Sequence, residues 1–86
     1  SESTYTLPDF FTPETGILLT TILLSKRINE YSLRKKFGPA FNEKYKSMLQ
    51  RLLSMGVLKR EIDGALIINP VVVNDVAYQL VKKKYL

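Results

Sequence analysis

The 86-residue chain contains no cysteine and no histidine. Disulfides, thiolate nucleophiles and the usual zinc ligands are therefore excluded, and so is the commonest general base. Glycine is sparse: the four glycines stand singly, so the chain has no Gly-rich phosphate loop. Positive charge is missing from the first 25 residues, which hold only Glu2, Asp9 and Glu14 as charged groups. One long apolar run occurs, "GILLTTILL" from Gly16 to Leu24. It falls short of the about 20 residues that span a bilayer. Acids rather than bases precede it, contrary to the pattern of a signal peptide. The run reads as a buried helix, and no membrane partner is expected.

What is present is ordinary for a globular protein: 45% hydrophobic and 24% charged residues. The length admits one domain, which buries roughly 60–65% of its unfolded surface and folds with a thin margin. The absence of cysteine fits a reducing, intracellular compartment. A chain that opens at Ser1 leaves two origins open, removal of an initiator Met or excision from a larger parent. The net charge of +5 is concentrated in the middle. Residues 26–60 hold ten basic residues against Glu30 and Glu43, whereas residues 61–86 balance. A basic middle segment points to a polyanionic partner, or simply to solubility.

Residues 1–11 form an N-terminal arm, and residues 12–86 form the domain. Tyr5, Leu7, Phe10 and Phe11 make the arm too apolar for a free tail, and Pro8 argues against a central strand. Packing down and docking onto a second subunit both remain open. A first helix starts at "TPE", with Thr12 as N-cap, Pro13 at the first position and Glu14 at the positive end. Its apolar residues cover most of the circumference, which predicts a nearly all-buried helix closed by Lys26 and Arg27. Ile28 could supply a minimal strand. "NEYSLRKKFG" reads as a short second helix, capped by Asn29 and ended by Gly38 in the left-handed region. Leu33 and Phe37 face inward; Arg34, Lys35 and Lys36 face outward or sideways.

After the "GPAF" turn, Phe41 enters the core and Asn42 caps a third helix over residues 42–55. Tyr45, Met48, Leu49 and Leu52 recur at helical spacing and form its buried stripe. Glu43, Ser47, Gln50 and Ser54 lie opposite, flanked by Lys44, Lys46 and Arg51. Gly56 ends the helix. "VLKRE" and "ALIIN" then make a hairpin over residues 57–69 with Asp-Gly at its turn. "VVV" is ambiguous between an extended segment and the start of a helix. A final helix is expected from about Asn74, with Val76, Ala77, Leu80 and Val81 on one face and Lys82–Lys84 at its carboxyl end. The fold class expected is α+β and mostly helical: a three-helix core, a β-hairpin and a closing helix.

That order resembles the winged-helix superfamily. "SLRKKFG" stands where its second helix lies, and "YKSMLQRLLSMGVLKRE" where its third helix runs into the wing. "IDGALII" is similar to a short wing. The resemblance covers residues 12 to about 69 and extends toward the last helix. It implies that the third helix enters the major groove of DNA, where base edges are distinguishable. On that expectation Ser47 and Gln50 read bases, while Lys44, Lys46 and Arg51 reach bases or phosphates. Asn42 sits at the helix amino end, which suits a phosphate. Arg34, Lys35 and Lys36 hold the backbone, and Lys59 and Arg60 reach phosphate or the minor groove.

The function expected is sequence-specific binding of double-stranded DNA, as a transcription regulator or replication-type module. A homodimer through the arm or the C-terminal helix is a further expectation. The alternative is a winged-helix protein–protein interaction module within a transcription or replication assembly, since one fold serves both roles. A single-strand or RNA binder would want exposed aromatics, which here fall mostly at core spacings. No catalytic residues, cofactor or metal are expected.

Overall fold

Two threonines start α1 (Pro13–Ser25) as a reciprocal cap. Thr12 Oγ1 accepts from the Thr15 N–H at 3.4 Å, and Thr15 Oγ1 accepts from the Thr12 N–H at 3.3 Å. Pro13 occupies the first turn, where its missing N–H costs nothing. The computed structural model describes residues 11–86, so the arm over residues 1–10 lies outside the described residues. Phe11, at the arm's inner end, is half-buried and packs its ring 5.9 Å from that of Tyr85.

Helix α1 is central but not buried all round. Leu18, Leu19 and Ile22 are fully buried, whereas Ile17 and Leu24 are exposed, Leu24 to 68%. An apolar run gives no direction to a helix; its neighbours choose the side that is covered. The helix also ends before the expected cations. Lys26 is the C-cap and takes φ 68°, and Arg27 lies beyond it, with its N–H bonded back to the Ser25 carbonyl at 2.7 Å. This is a tight γ-turn, a strained conformation for a residue with a Cβ.

Helix α2 (Glu30–Phe37) is capped by Asn29, whose Oδ1 accepts from the Ser32 N–H at 2.8 Å. Gly38 ends it at φ 60°, ψ −142°, a glycine region but not the left-handed helical one expected. The Phe41 N–H then closes a turn onto the Gly38 carbonyl at 2.9 Å. Helical geometry resumes at once, so Asn42 does not cap. Residues Phe41–Tyr45 form a wide π-turn, in which the Lys46 N–H bonds the Phe41 carbonyl five residues back. The turn points both Phe41 and Tyr45 into the core, and Tyr45 stacks on Phe37 with centroids 4.1 Å apart. Such turns are often found at functional sites. Helix α3 (Lys46–Ser54) continues from it.

The end of α3 closes as a Schellman motif. The Val57 N–H bonds the Leu52 carbonyl at 3.0 Å and the Gly56 N–H bonds the Leu53 carbonyl at 3.2 Å. Gly56 sits at φ 80°, which a side chain would resist. The chain then enters β1 (Leu58–Arg60), which pairs antiparallel with β2 (Leu66–Ile68), Leu58 facing Ile68 and Arg60 facing Leu66. Asp63 and Gly64 are the third and fourth residues of the turn at the tip, closed by a Gly64 N–H to Glu61 carbonyl bond of 2.8 Å. Ile28 joins the sheet by one antiparallel bridge to Leu66. Asn69 stitches the far end: its amide donates to the Gly56 carbonyl at 2.9 Å, and its Oδ1 accepts from the Val71 N–H at 3.1 Å.

Val71 and Val72 lie in that Asn69 turn, and α4 (Val73–Lys82) follows. Val76 and Leu80 are buried, but Val81, expected on the same inner face, is 57% exposed. One core joins all elements: Leu18, Leu19 and Ile22 of α1, Leu33 of α2, Phe41 and Tyr45 of the π-turn, Leu49 and Leu52 of α3, Leu58, Leu66 and Ile68 of the hairpin, and Val76 and Leu80 of α4. The architecture is α+β, four helices with a two-stranded hairpin, and its element order is compatible with a winged-helix layout.

Candidate nucleic-acid interface

Burial of Leu49 and Leu52 fixes which side of α3 meets solvent. At 3.6 residues per turn, Lys46, Ser47, Gln50, Arg51 and Ser54 then occupy one contiguous outer arc, and all five are exposed. No acid lies among them. The arc continues into the π-turn through Lys44, Glu43 and Asn42, also exposed. Two cations, two neutral hydrogen-bonding side chains and a serine at the helix end thus face outward together. Such a surface can accept from or donate to base edges and neutralise phosphates.

Glu30 organises the flank. Its Oε2 accepts from Arg34 Nη2 at 3.0 Å, one helical turn on, and its Oε1 lies 3.7 Å from Arg60 Nη2 on β1. Arg34 Nη1 also donates to Asn42 Oδ1 at 3.2 Å, and its guanidinium lies 4.8 Å from the centre of the Phe41 ring. One carboxylate therefore holds an arginine of α2 and an arginine of the hairpin beside the entrance of the α3 segment. Asn42, expected as a cap, is instead a hydrogen-bond acceptor in this cluster. Lys35 is not brought into it. The Lys35 ammonium lies over the ring of Tyr31, 5.5 Å from its centre, and Lys36 is a further step around the helix. The "RKK" triplet is thus divided, with only Arg34 joined to the α3 entrance. Lys59 and Arg60 are both exposed on the hairpin.

Two residues that bear on the site escaped the reading of the sequence. Arg27 forms an ion pair with Asp63 across 36 positions and so ties the hairpin tip to the junction of α1 and α2. The pair borders two open clefts. One, of about 460 Å³, is lined by Arg27, Lys59, Arg60, Glu61, Ile62 and Asp63. The other, of about 290 Å³, is lined by Arg27, Ile28, Asn29, Ser32, Asp63 and Ala65 at the amino end of α2. The second escaped residue is Ile62, an apolar side chain at a hairpin tip. Its signal was available in "REIDG", where every neighbour is charged or glycine.

Behind the interface, burial raises the phenol pKa of Tyr45, and the nearby negative charge of Glu14 raises it further. The ring is therefore neutral across the physiological range and serves as packing. Among the described residues no group of three His, Cys, Asp or Glu side chains could hold a metal ion. Among them, too, no helix is long and apolar enough to cross a membrane. No known family matches the chain, and no curated protein or solved structure matches it.

Proposed function

We propose that the chain is a sequence-specific double-stranded DNA-binding module of winged-helix type, acting in transcription regulation or replication. Residues 42–55 lie in the major groove, and hairpin 57–69 lies beside them. The observation that carries this reading is the exposed, acid-free outer arc of α3, Lys46, Ser47, Gln50, Arg51 and Ser54. This face carries cations and neutral hydrogen-bonding side chains together. Ser47 and Gln50 discriminate bases; Lys44, Lys46 and Arg51 supply affinity; Arg34, Lys59 and Arg60 engage the flanking backbone.

Counterion release makes such binding strongly salt-dependent, with a slope of about −0.9 per phosphate neutralised. Replacing Lys44, Lys46 and Arg51 by Ala together should weaken duplex binding and flatten the dependence by about two to three phosphate contacts. A titration at several salt concentrations checks this, and an unchanged slope and affinity would overturn the reading. Replacing Gln50 or Ser47 should change sequence preference in a random-duplex selection more than it changes overall affinity.

The same reading extends to a homodimer through the C-terminal helix. It is favoured by Tyr78 and Val81, which stand 62% and 57% exposed on α4. The partner of that face is a second copy of the chain, which would present two α3 arcs to a symmetric site. Sedimentation of a Val81→Lys variant against the unaltered chain tests it. A mass that is monomeric for both removes the dimer.

A further inference from the structure

Helices α3 and α4 end in the same motif, with one difference. At the position just past the helix, where the backbone turns left-handed, α3 has Gly56 at φ 80° and α4 has Lys84 at φ 70°. Glycine suits that conformation, and a Cβ resists it. Lys82 and Lys83 already place two cations at the carboxyl end of α4, where the helix dipole favours them. A third cation adds little to that effect. Stability alone therefore favours glycine at position 84, and a lysine there points to a use for its charge.

The charge of this cluster is not cancelled. Lys82, Lys83 and Lys84 are all exposed, and among the described residues none of them pairs with a carboxylate. Glu14 and Asp75, the acids of α1 and α4, reach none of the three. Two of the ammonium groups are seated on aromatic rings instead. Lys82 Nζ lies 6.0 Å from the centre of the Tyr78 ring, and Lys83 Nζ lies 4.9 Å from that of Phe11. A ring face attracts a cation through its quadrupole and leaves the full charge in place.

Contacts along α1 fix where the cluster lies. The Tyr85 ring covers Gly16, and Lys83 reaches Phe11, both at the amino end of α1. The first turn of α1 also meets the start of α3, with Thr15 Oγ1 donating to Met48 Sδ at 3.3 Å. The hairpin tip is tied to the other end, through the Arg27–Asp63 pair just past Ser25. The 13 residues of α1 span about 20 Å, or about six base-pair steps. Lysines and hairpin tip thus stand at opposite ends of α1, with the start of α3 at the lysine end.

We propose that Lys82, Lys83 and Lys84 bind backbone phosphates of the duplex on the flank away from the hairpin. The inference rests on the DNA-binding reading above and adds to it a segment and a second flank. A run of unneutralised ammonium groups at one edge of the protein matches a partner with regularly spaced phosphates. It supplies affinity and register without reading bases. The hairpin holds one side of the site, the lysines hold the other, and α3 is set in the groove between them.

The chain has no cysteine, so Lys84→Cys supplies a single thiol to carry an iron–EDTA chelate that cleaves nearby DNA backbone. On a duplex bearing the sequence recovered by random selection, this conjugate should cut on one flank of the α3 site. An Ile62→Cys conjugate at the hairpin tip should cut on the other. Replacing Lys82, Lys83 and Lys84 by Gln together should flatten the salt dependence by about two to three phosphate contacts and leave sequence preference unchanged. All three side chains are exposed, so folding is preserved.

Cleavage from position 84 no greater than that by free chelate overturns the proposal, as does cutting by both conjugates on one flank. An unaltered salt slope in the Gln variant overturns it too. In each case duplex binding itself stands. Failure of the unaltered protein to bind any duplex overturns the DNA reading and this inference with it. Binding to phosphatidylglycerol vesicles that the Gln variant loses, with its duplex slope unaltered, would assign the lysines to a membrane surface and overturn the proposal equally.

Discussion

The ring of Tyr85 lies directly against the backbone of Gly16, so the last residues of the chain close over the first turns of α1. A methyl group on Gly16 would overlap that ring. Tyr85 reaches this position because α4 ends in a Schellman motif, with the Tyr85 N–H bonded to the Leu80 carbonyl at 2.8 Å and the Lys84 N–H bonded to the Val81 carbonyl at 3.0 Å. Phe11 packs against the same ring, with centroids 5.9 Å apart.

Gly16→Ala is therefore expected to destabilise the fold by about 1–3 kcal/mol through overpacking, although alanine is the better helix former by about 1 kcal/mol. In a Tyr85→Ala background the sign should reverse, because the space is vacated and only the helix preference remains. A double-mutant cycle by denaturant unfolding measures the difference. Additive effects would show that the ring does not constrain Gly16.

Lys84 holds the left-handed position of the same motif at φ 70°, where a Cβ is unfavourable. Lys84→Gly should stabilise by about 0.5–1 kcal/mol. In a domain of this size that corresponds to a rise in Tm of roughly 2–8 °C. Thermal unfolding checks it, and a fall in Tm would place the value of Lys84 in its charge at the helix end instead.

Glu30 engages Arg34 and Arg60 at once and adds negative charge beside the α3 arc. Glu30→Gln should release both arginines and tighten duplex binding roughly threefold to tenfold at low salt, with a steeper salt dependence. The opposite result, weaker binding, would mean that Glu30 aligns the arginines for the duplex rather than holding them back. Salt-titrated anisotropy separates the two.

Tyr45 sets an alkaline limit. Its folded-state pKa lies above the unfolded value of 10.0. The unfolded chain thus loses this proton at a lower pH than the folded chain does. Stability contributed by the neutral phenol is fully present below pH 10 and is lost as pH rises toward the folded pKa. Unfolding measured on either side of pH 10 should show a steeper loss in the unaltered protein than in Tyr45→Phe. Identical slopes would remove Tyr45 from the alkaline response.

Local chemistry in the sequence was legible where one or two residues decide the conformation. Thr12 and Asn29 cap, Pro13 opens a helix and Gly56 closes one, each through bonds spanning a few residues. Ile28 was legible as a minimal strand because a β-branched residue stood alone between two helical patterns. What escaped was set by distant partners. The π-turn arises because Phe41 and Tyr45 must both reach the core, a demand that a cap rule at Asn42 does not contain. The exposed side of α1 depends on where α4 and the hairpin lie. The outer arc of α3 was legible because its apolar stripe is narrow and leaves one polar side. The clustering of Glu30 with Arg34 and Arg60, and of Arg27 with Asp63, joins residues up to 36 positions apart and required the folded chain.

Ile28 exchanges both of its backbone bonds with Leu66, its N–H to the Leu66 carbonyl at 3.1 Å and its carbonyl to the Leu66 N–H at 2.8 Å. This small clasp ties the hairpin to the segment that introduces α2 and sets the span between hairpin and helices. On the proposed duplex-binding reading, that span must match the pitch of the DNA, and inserting a single base pair between the stretches met by α3 and by the hairpin would put them out of phase.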